Sequence, residues 1–334
     1  MEKQSILIYV CIVFSLVSAL RGVYPQQNFI VAKDGSGNFT TISQAISAAP
    51  SHSQKITLIR IRAGVYNEYV FVPDDKINLH FVGDGADRTT ISGNRSKSTG
   101  VPTYKTATVR ISGRGFVAKE VTFENTAGVN MNQSVAVTIE GFYCAFYRCR
   151  FIGYQDTLYV WKGIQFFRDC NIYGTVDFIF GYSRALFQNC NVYARRPQQG
   201  QSNTITAQGR STKELSGIVM QNCTIAAAPD LQPSFNVRTY LGRPWKDHST
   251  TVVMQSFLDD LIAPRGWLEW PGHRLDNVYY AEYSNRGPGA NTSSRVKWSR
   301  KINGTEAKSF TARAFIEGEK WLASTGIPHF LDLL

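Results

Sequence analysis

Short runs of β-branched and aromatic residues, separated by Gly, Asn and Asp, make up most of this chain. Runs such as Ile56–Ile61, Asn78–Val82 and Val117–Phe123 read as strands. Only two stretches carry a helical pattern. Thr41–Ala49 reads as a short helix stopped by Pro50, placed to cap one end of the fold. Thr311–Leu322 reads as an amphipathic helix closing at Ser324-Thr325-Gly326. Val31–Gly37, before both, is a turn-rich opening, and the middle of the chain between them is a repeat.

Phe146-Tyr147-Arg148-Cys149-Arg150-Phe151-Ile152-Gly153 returns as Phe167-Arg168-Asp169-Cys170-Asn171-Ile172-Tyr173-Gly174 and again as Phe187-Gln188-Asn189-Cys190-Asn191-Val192-Tyr193-Ala194. The cysteines are 21 and then 20 residues apart. Weaker echoes stand at Glu120–Asn125 and Val219–Ile225. A period of this length filled with strands is a solenoid signature. It predicts an all-β, right-handed parallel β-helix with short capping helices, one coil per repeat. Asp156 and Asp177 each follow a repeat cysteine by seven residues. They therefore stack on adjacent coils, roughly 4.8 Å apart along the axis. Two carboxylates at that spacing repel, so one keeps its proton while the other ionises beside a cation, a division suited to acid and nucleophile or base. The alternative is a purely structural ladder of turn-capping aspartates.

Composition narrows the setting. The chain has 334 residues, 43% hydrophobic and 18% charged, which argues against disorder. An apolar run from Ile6 to about Leu20 ends in Val17-Ser18-Ala19. It predicts a secretory signal over residues 1–19, with cleavage there or as late as about residue 26, and no membrane span. The domain then runs from 29 to 334. Secretion gives meaning to the sequons at Asn38, Asn94, Asn222, Asn291 and Asn303. A sixth, Asn132, adjoins a candidate cleft residue and is set aside. With Cys11 in the signal, five cysteines remain, and stacking alone permits Cys149–Cys170 or Cys170–Cys190. The net charge of +11 suits a polyanionic partner, but no nucleic-acid module is visible.

The segments Gly-Tyr-Gln-Asp156-Thr-Leu-Tyr and Gly-Thr-Val-Asp177-Phe-Ile-Phe-Gly resemble the two signature segments of the plant pectinesterases (pectin methylesterases). Leu241-Gly242-Arg243-Pro244-Trp245 resembles their third. Gly64-Val65-Tyr66-Asn67-Glu68 and Gln133-Ser134-Val135-Ala136-Val137 are similar to two further family segments. The resemblance runs from about Phe29 to the C-terminus in the family's order. Only a short spacer separates signal from domain, so the inhibitor-like helical region of many relatives is expected to be absent.

That resemblance implies a cell-wall enzyme that removes methyl esters from homogalacturonan through an acyl-enzyme, as a monomer, with proteinaceous inhibitors as further partners. Asp177 would be the nucleophile, Asp156 the proton donor and later base, and Arg243 the cation pairing the nucleophile. Gln133 and Gln155 would stabilise the oxyanion. Thr103, Gln133, Arg243, Trp245 and Trp267 would contact substrate, although Trp267 and Trp270 could both be core residues. It favours a Cys170–Cys190 disulfide, with Cys144, Cys149 and Cys223 as thiols. No metal-ligand cluster is apparent, and ester hydrolysis by this route needs no cofactor. Gln155 would point away from Asp156 in a regular strand, so a turn or bulge after Gly153 is required. The sequence departs from the family pattern at Ser134, Trp161, Ile164 and Tyr182-Ser183, none of them a catalytic position. Competing readings are a polygalacturonase or lyase on the same scaffold, and a non-catalytic wall-binding protein.

Overall fold

The structure, a computed structural model, describes residues 27–231 and 236–334; the leader expected at residues 1–19 lies outside them. Three parallel sheets of eleven, eight and seven strands wrap around one axis. Each of the seven complete coils among the described residues contributes one strand to each sheet and the end coils contribute fewer, so strands adjacent in a sheet are a coil apart in sequence. The fold is the parallel β-helix that the repeat predicts. Phe146 pairs in register with Phe167, Phe167 with Phe187 and Phe187 with Met220. The phenylalanine rings stack at 5.0 and 4.3 Å, nearly parallel, and are wholly buried. Phe151, Ile172, Val192 and Ile225 form the matching ladder on the next sheet.

One residue in the left-handed region turns each coil from the eleven-stranded to the eight-stranded sheet. Glu120, Arg148, Asp169, Asn189 and Asn222 occupy this position, with φ between 51° and 58°. The expected strand Val117–Phe123 is accordingly two strands, Val117–Lys119 and Thr122–Asn125, broken at Glu120. The cysteine follows the turn residue and lies in the core. All five cysteines of the described residues stand as buried thiols, with Cys170 on the coil between Cys149 and Cys190 and in side-chain contact with both. The Sγ atoms of Cys149, Cys170, Cys190 and Cys223 also each meet a backbone carbonyl of the preceding coil at 3.5 Å.

Helix Ile42–Ala48 covers one end, burying Ile42, Ala45 and Ile46. Thr41 and Gln44 make a reciprocal capping box at its start. Glu68 adds a carboxylate that accepts from the Ile42 and Ser43 amides. The Gly64–Glu68 segment thus anchors the cap, with Tyr66 in the core, rather than serving the cleft. The expected helix Thr311–Leu322 is not continuous. It is a short helix, Ala312–Phe315, then two 3₁₀ turns, interrupted at Glu317 with φ 54°. This segment lies across the outside of the eleven-stranded sheet, where Phe315, Ile316 and Leu322 pack on Phe166, Leu186 and Val219. That explains why Ile164–Arg168 is buried on both faces. Asn38, Asn94, Asn291 and Asn303 are exposed, whereas Asn222 is half-buried and donates from Nδ2 to Asn189. No helix among the described residues is long and apolar enough to cross a membrane.

Candidate active site

The outer face of the seven-stranded sheet forms the floor of a cleft of about 440 Å³. Strand Leu158–Val160 turns Leu158 and Val160 inward and Tyr159 outward. Its neighbour in register turns Phe180 outward, and the next presents Ala207. The walls come from loops. The segment between Gly93 and Val109 carries Lys97, Thr103 and Tyr104, the segment after Pro244 carries Trp245, and the long segment after Leu258 carries Trp270.

Asp156 and Asp177 stand at equivalent places one coil apart, because Leu158 pairs with Ile179 at the same 21-residue offset. Neither lies on ordinary strand backbone. Asp156 has φ 63° and Asp177 φ 51°. Aspartate tolerates this left-handed region better than most side chains, but strain of about 1–3 kcal/mol per residue is typical there. The turn at Tyr154–Asp156 is what lets Gln155 and Asp156, consecutive residues, line one cleft. Backbone bonds hold it to both neighbours: Ser134 donates to the Gln155 carbonyl and Asp156 donates to the Val176 carbonyl. At Asp177 the register slips between Val176 and Ile179 against the following strand, a bulge that turns the carboxylate outward.

Asp177 is 5% exposed and is held from three directions. Arg243 donates from Nε to Oδ1 at 2.8 Å and from a terminal nitrogen to Oδ2 at 2.7 Å, the bidentate fork of a guanidinium on a carboxylate. Thr204 donates its hydroxyl to Oδ1 at 2.7 Å and accepts from the Asp177 amide. Trp270 lies under the Arg243 guanidinium at 4.3 Å. Gly242 makes the approach possible, since a Cβ there would collide with the Thr206 hydroxyl. Asp156 is in a different state. Burial pushes its carboxyl well above 3.8, and the neighbouring Asp177 charge adds to this, against smaller opposing effects from Arg243 and Lys97. One carboxylate thus has every oxygen engaged by donors, and its neighbour favours the acid.

Gln133 and Gln155 line the same cleft, and among the described residues neither side-chain amide has a protein partner. Both can donate to a ligand oxygen. Of the residues expected at the site, Asp156, Asp177, Arg243, Gln133, Gln155, Thr103 and Trp245 converge here. Trp267 does not. It is wholly buried in the core, edge-on to Tyr280 at 4.9 Å. The reason is local pairing: Trp267 bridges Gly242 beside the strand that carries Arg243, which turns its ring inward. Trp270, three residues on, takes the cleft position. Sequence reading missed Lys97, Tyr104, Thr204 and Phe180. Thr204 sits in the coil where the spacing lengthens beyond 21, so the repeat lost its register there. Phe180 was legible, being the equivalent of Tyr159.

A family profile described as Pectinesterase matches residues 28–319. The sequence is 50% identical over 312 residues to Pectinesterase 1 of Citrus sinensis, covering 92% of this chain and 53% of that protein. It is 48% identical to a Pectinesterase of Daucus carota over 92% of this chain and 98% of that one. The chain spans about half the length of the Citrus and Arabidopsis relatives it matches. Among solved structures, the pectin methylesterase from carrot superposes with a TM-score of 0.91 at 48% identity, covering 93% of this chain and 99% of that chain. The Aspergillus niger pectin methylesterase gives 0.78 at 29% identity, covering 91% and 97%.

Proposed function

The chain belongs to the pectinesterase family, and from that footing we propose that it hydrolyses the methyl esters of homogalacturonan in pectin, releasing methanol and leaving free galacturonate. The observation that carries this reading is the pairing of an Arg243-clamped carboxylate with a second carboxyl that burial pushes toward its protonated form, in one cleft. Asp177 attacks the ester carbonyl carbon. The carbonyl oxygen becomes the oxyanion and takes hydrogen bonds from the Gln133 and Gln155 amides. The C–O bond to the methoxy group breaks, and that oxygen collects the Asp156 proton, leaving as methanol. Asp156, now a carboxylate, takes a proton from water as the water attacks the acyl carbon. Asp177 departs as the free carboxylate, and Asp156 is again the acid. Trp245 and Thr103 contact the sugar chain at the cleft walls.

The same reading sends the protein to the plant cell wall. The apolar stretch before Ala19 would direct secretion and be removed, leaving residues 29–334 as the catalytic domain of a glycosylated monomer. Proteinaceous inhibitors are expected partners; several relatives are named pectinesterase/pectinesterase inhibitor. The decisive experiment is methanol release from highly methylated pectin, followed beside chain length. The expected result is methanol without chain shortening, and none from Asp177→Asn, which keeps the shape but cannot form the acyl-enzyme. Near-normal turnover by folded Asp177→Asn would remove Asp177 as nucleophile.

A further inference from the structure

We infer that His273 and Asp247 are positioning residues for the reaction, a latch that fixes the turn carrying Trp270 against the Arg243–Asp177 ion pair. This deepens the esterase reading and rests on it. Trp270 belongs to no strand; it lies in the long segment between Phe257–Leu258 and Tyr279–Tyr283. Trp270-Pro271-Gly272-His273 is a tight turn, closed by the His273 amide on the Trp270 carbonyl at 3.1 Å. Pro271 at its second position and Gly272, with φ 81°, at its third give it the form of a type II turn. Proline fixes its own φ, so the two end residues of the turn move together. The Trp270 and His273 rings meet edge-on, 6.4 Å apart with 84° between the planes.

The two ends of the turn reach different partners. On the cleft side the Trp270 ring lies 4.3 Å from the Arg243 guanidinium and 6.5 Å from the Trp245 ring. On the other side His273 Nδ1 lies 2.8 Å from Asp247 Oδ1 and donates to it, since a carboxylate oxygen only accepts. That bond is the main cause holding the Asp247 carboxyl below its ordinary value. Asp247 is itself fixed in place. Lys246-Asp247-His248-Ser249 is a turn closed by the Ser249 amide on the Lys246 carbonyl. The Trp245 and His248 amides on either side donate to the Gln208 and Arg210 carbonyls of the preceding coil, both at 3.0 Å. The pair thus ties a segment outside the coils to a turn bonded to them. Pro271, Gly272 and Arg274 are exposed, so the turn rests on its Trp270 and His273 side chains. Without the tie, ring contacts alone hold Trp270, and water reaches the guanidinium that clamps Asp177.

The test uses the full protein and highly methylated pectin. The His273 and Asp247 side chains are 26% and 48% exposed, so neither substitution empties the core. His273→Ala should lower kcat/KM by about three- to fivefold with the melting temperature unchanged, and Asp247→Ala should do the same. The double variant should lose no more than either single one, as for two residues that make one contact. His273→Asn, whose amide nitrogen takes the place of Nδ1 and donates, should recover most of the loss. In a Trp270→Ala background none of these changes should cost anything further, because the latch acts through that ring. The emission of Trp270, isolated by subtracting the Trp270→Phe spectrum in each background, should shift to the red in His273→Ala as water reaches the ring. A full loss from His273→Ala in the Trp270→Ala background, or full activity in folded His273→Ala, would overturn the proposal. The emission reads the latch without turnover. A red shift in a protein that releases no methanol would sink the esterase reading alone, whereas methanol release with no shift would sink the latch alone.

Discussion

At the scale of single residues, the site depends on two aspartates treated differently by their surroundings. Asp177 has a fork of two hydrogen bonds and a hydroxyl; Asp156 has burial and a like charge. The second condition has a measurable consequence for stability. The folded protein binds the Asp156 proton more tightly than the unfolded chain does. Its contribution is therefore fully present below the ordinary value of 3.8 and is lost as pH rises towards the raised folded value. Asp156→Asn removes this dependence. Its melting temperature is expected to rise above that of the wild type as pH increases from 4 towards 7, and to match it at pH 3. A constant difference across that range would show that Asp156 does not titrate as described. Turnover by the same variant should fall by about 10²–10⁴-fold, since a general acid and base is lost. Gly242→Ala tests the support of Arg243. The added methyl meets Thr206, so activity should drop with only modest change in pectin binding, read as a fall in kcat.

At the scale of elements, the coil is held by ladders that run along the axis. Besides the phenylalanines, a glutamine ladder crosses the outside of the eleven-stranded sheet. Gln188 donates to Gln221, and Gln221 donates to Gln255, at 2.8 and 3.0 Å. The C-terminal residues lie along it. Gln188 both donates to the Phe330 carbonyl and accepts from the Phe330 amide. Gln221 donates to the Asp332 carbonyl, and Gln255 donates to the Leu334 carbonyl while accepting the Leu334 amide. Gln188 is wholly buried. Gln188→Ala should strand these partners and lower stability by about 1–3 kcal/mol, measured by denaturant unfolding, with methanol release at 25 °C unaltered. A negligible loss would mean that the tail is held by its apolar contacts alone. The turn ladder follows the same logic at a different cost. Asn and Asp fill the left-handed position at Asp169, Asn189 and Asn222, while Glu120 and Arg148 adopt it less readily.

At the scale of the whole molecule, net charge and cleft work together. A formal charge of +11 surrounds a cleft whose walls include Lys97 and Arg243. Long-range attraction draws in a polyanion and is screened by salt. Binding of de-esterified pectin should weaken steeply between 50 and 300 mM salt, whereas binding of fully methyl-esterified pectin should change little. Equal salt dependence for both polymers would assign binding to the aromatic strip alone. The placement of that strip is a property of the assembled coils, for Tyr159, Phe180 and Ala207 come from three successive strands.

The coil, its axis and the stacked aspartates were legible in the chain because a solenoid repeats the same local pattern at a fixed spacing, and Asp156 and Asp177 keep that spacing. The cap helix was legible for a similar reason, since its capping box is a local signal from Thr41 to Gln44. Tertiary structure decided what has no period. The segment carrying Lys97 and Tyr104 has no counterpart in the repeat, so apart from Thr103, named through the family resemblance, nothing in its sequence pointed to the cleft. Trp267 and Trp270 are three residues apart, and only the pairing of Trp267 with Gly242 sends one to the core and leaves the other over Arg243. The segment after Thr311 has a helical pattern, but the flat outer face of the eleven-stranded sheet takes it as broken turns. Four cysteines share one column because the repeat places them there, and their contacts with one another and with the carbonyls of the preceding coil follow only once the coils close. Spacing sets which residues are neighbours along the axis; the contacts each side chain finds once the coils close settle its direction and its chemistry.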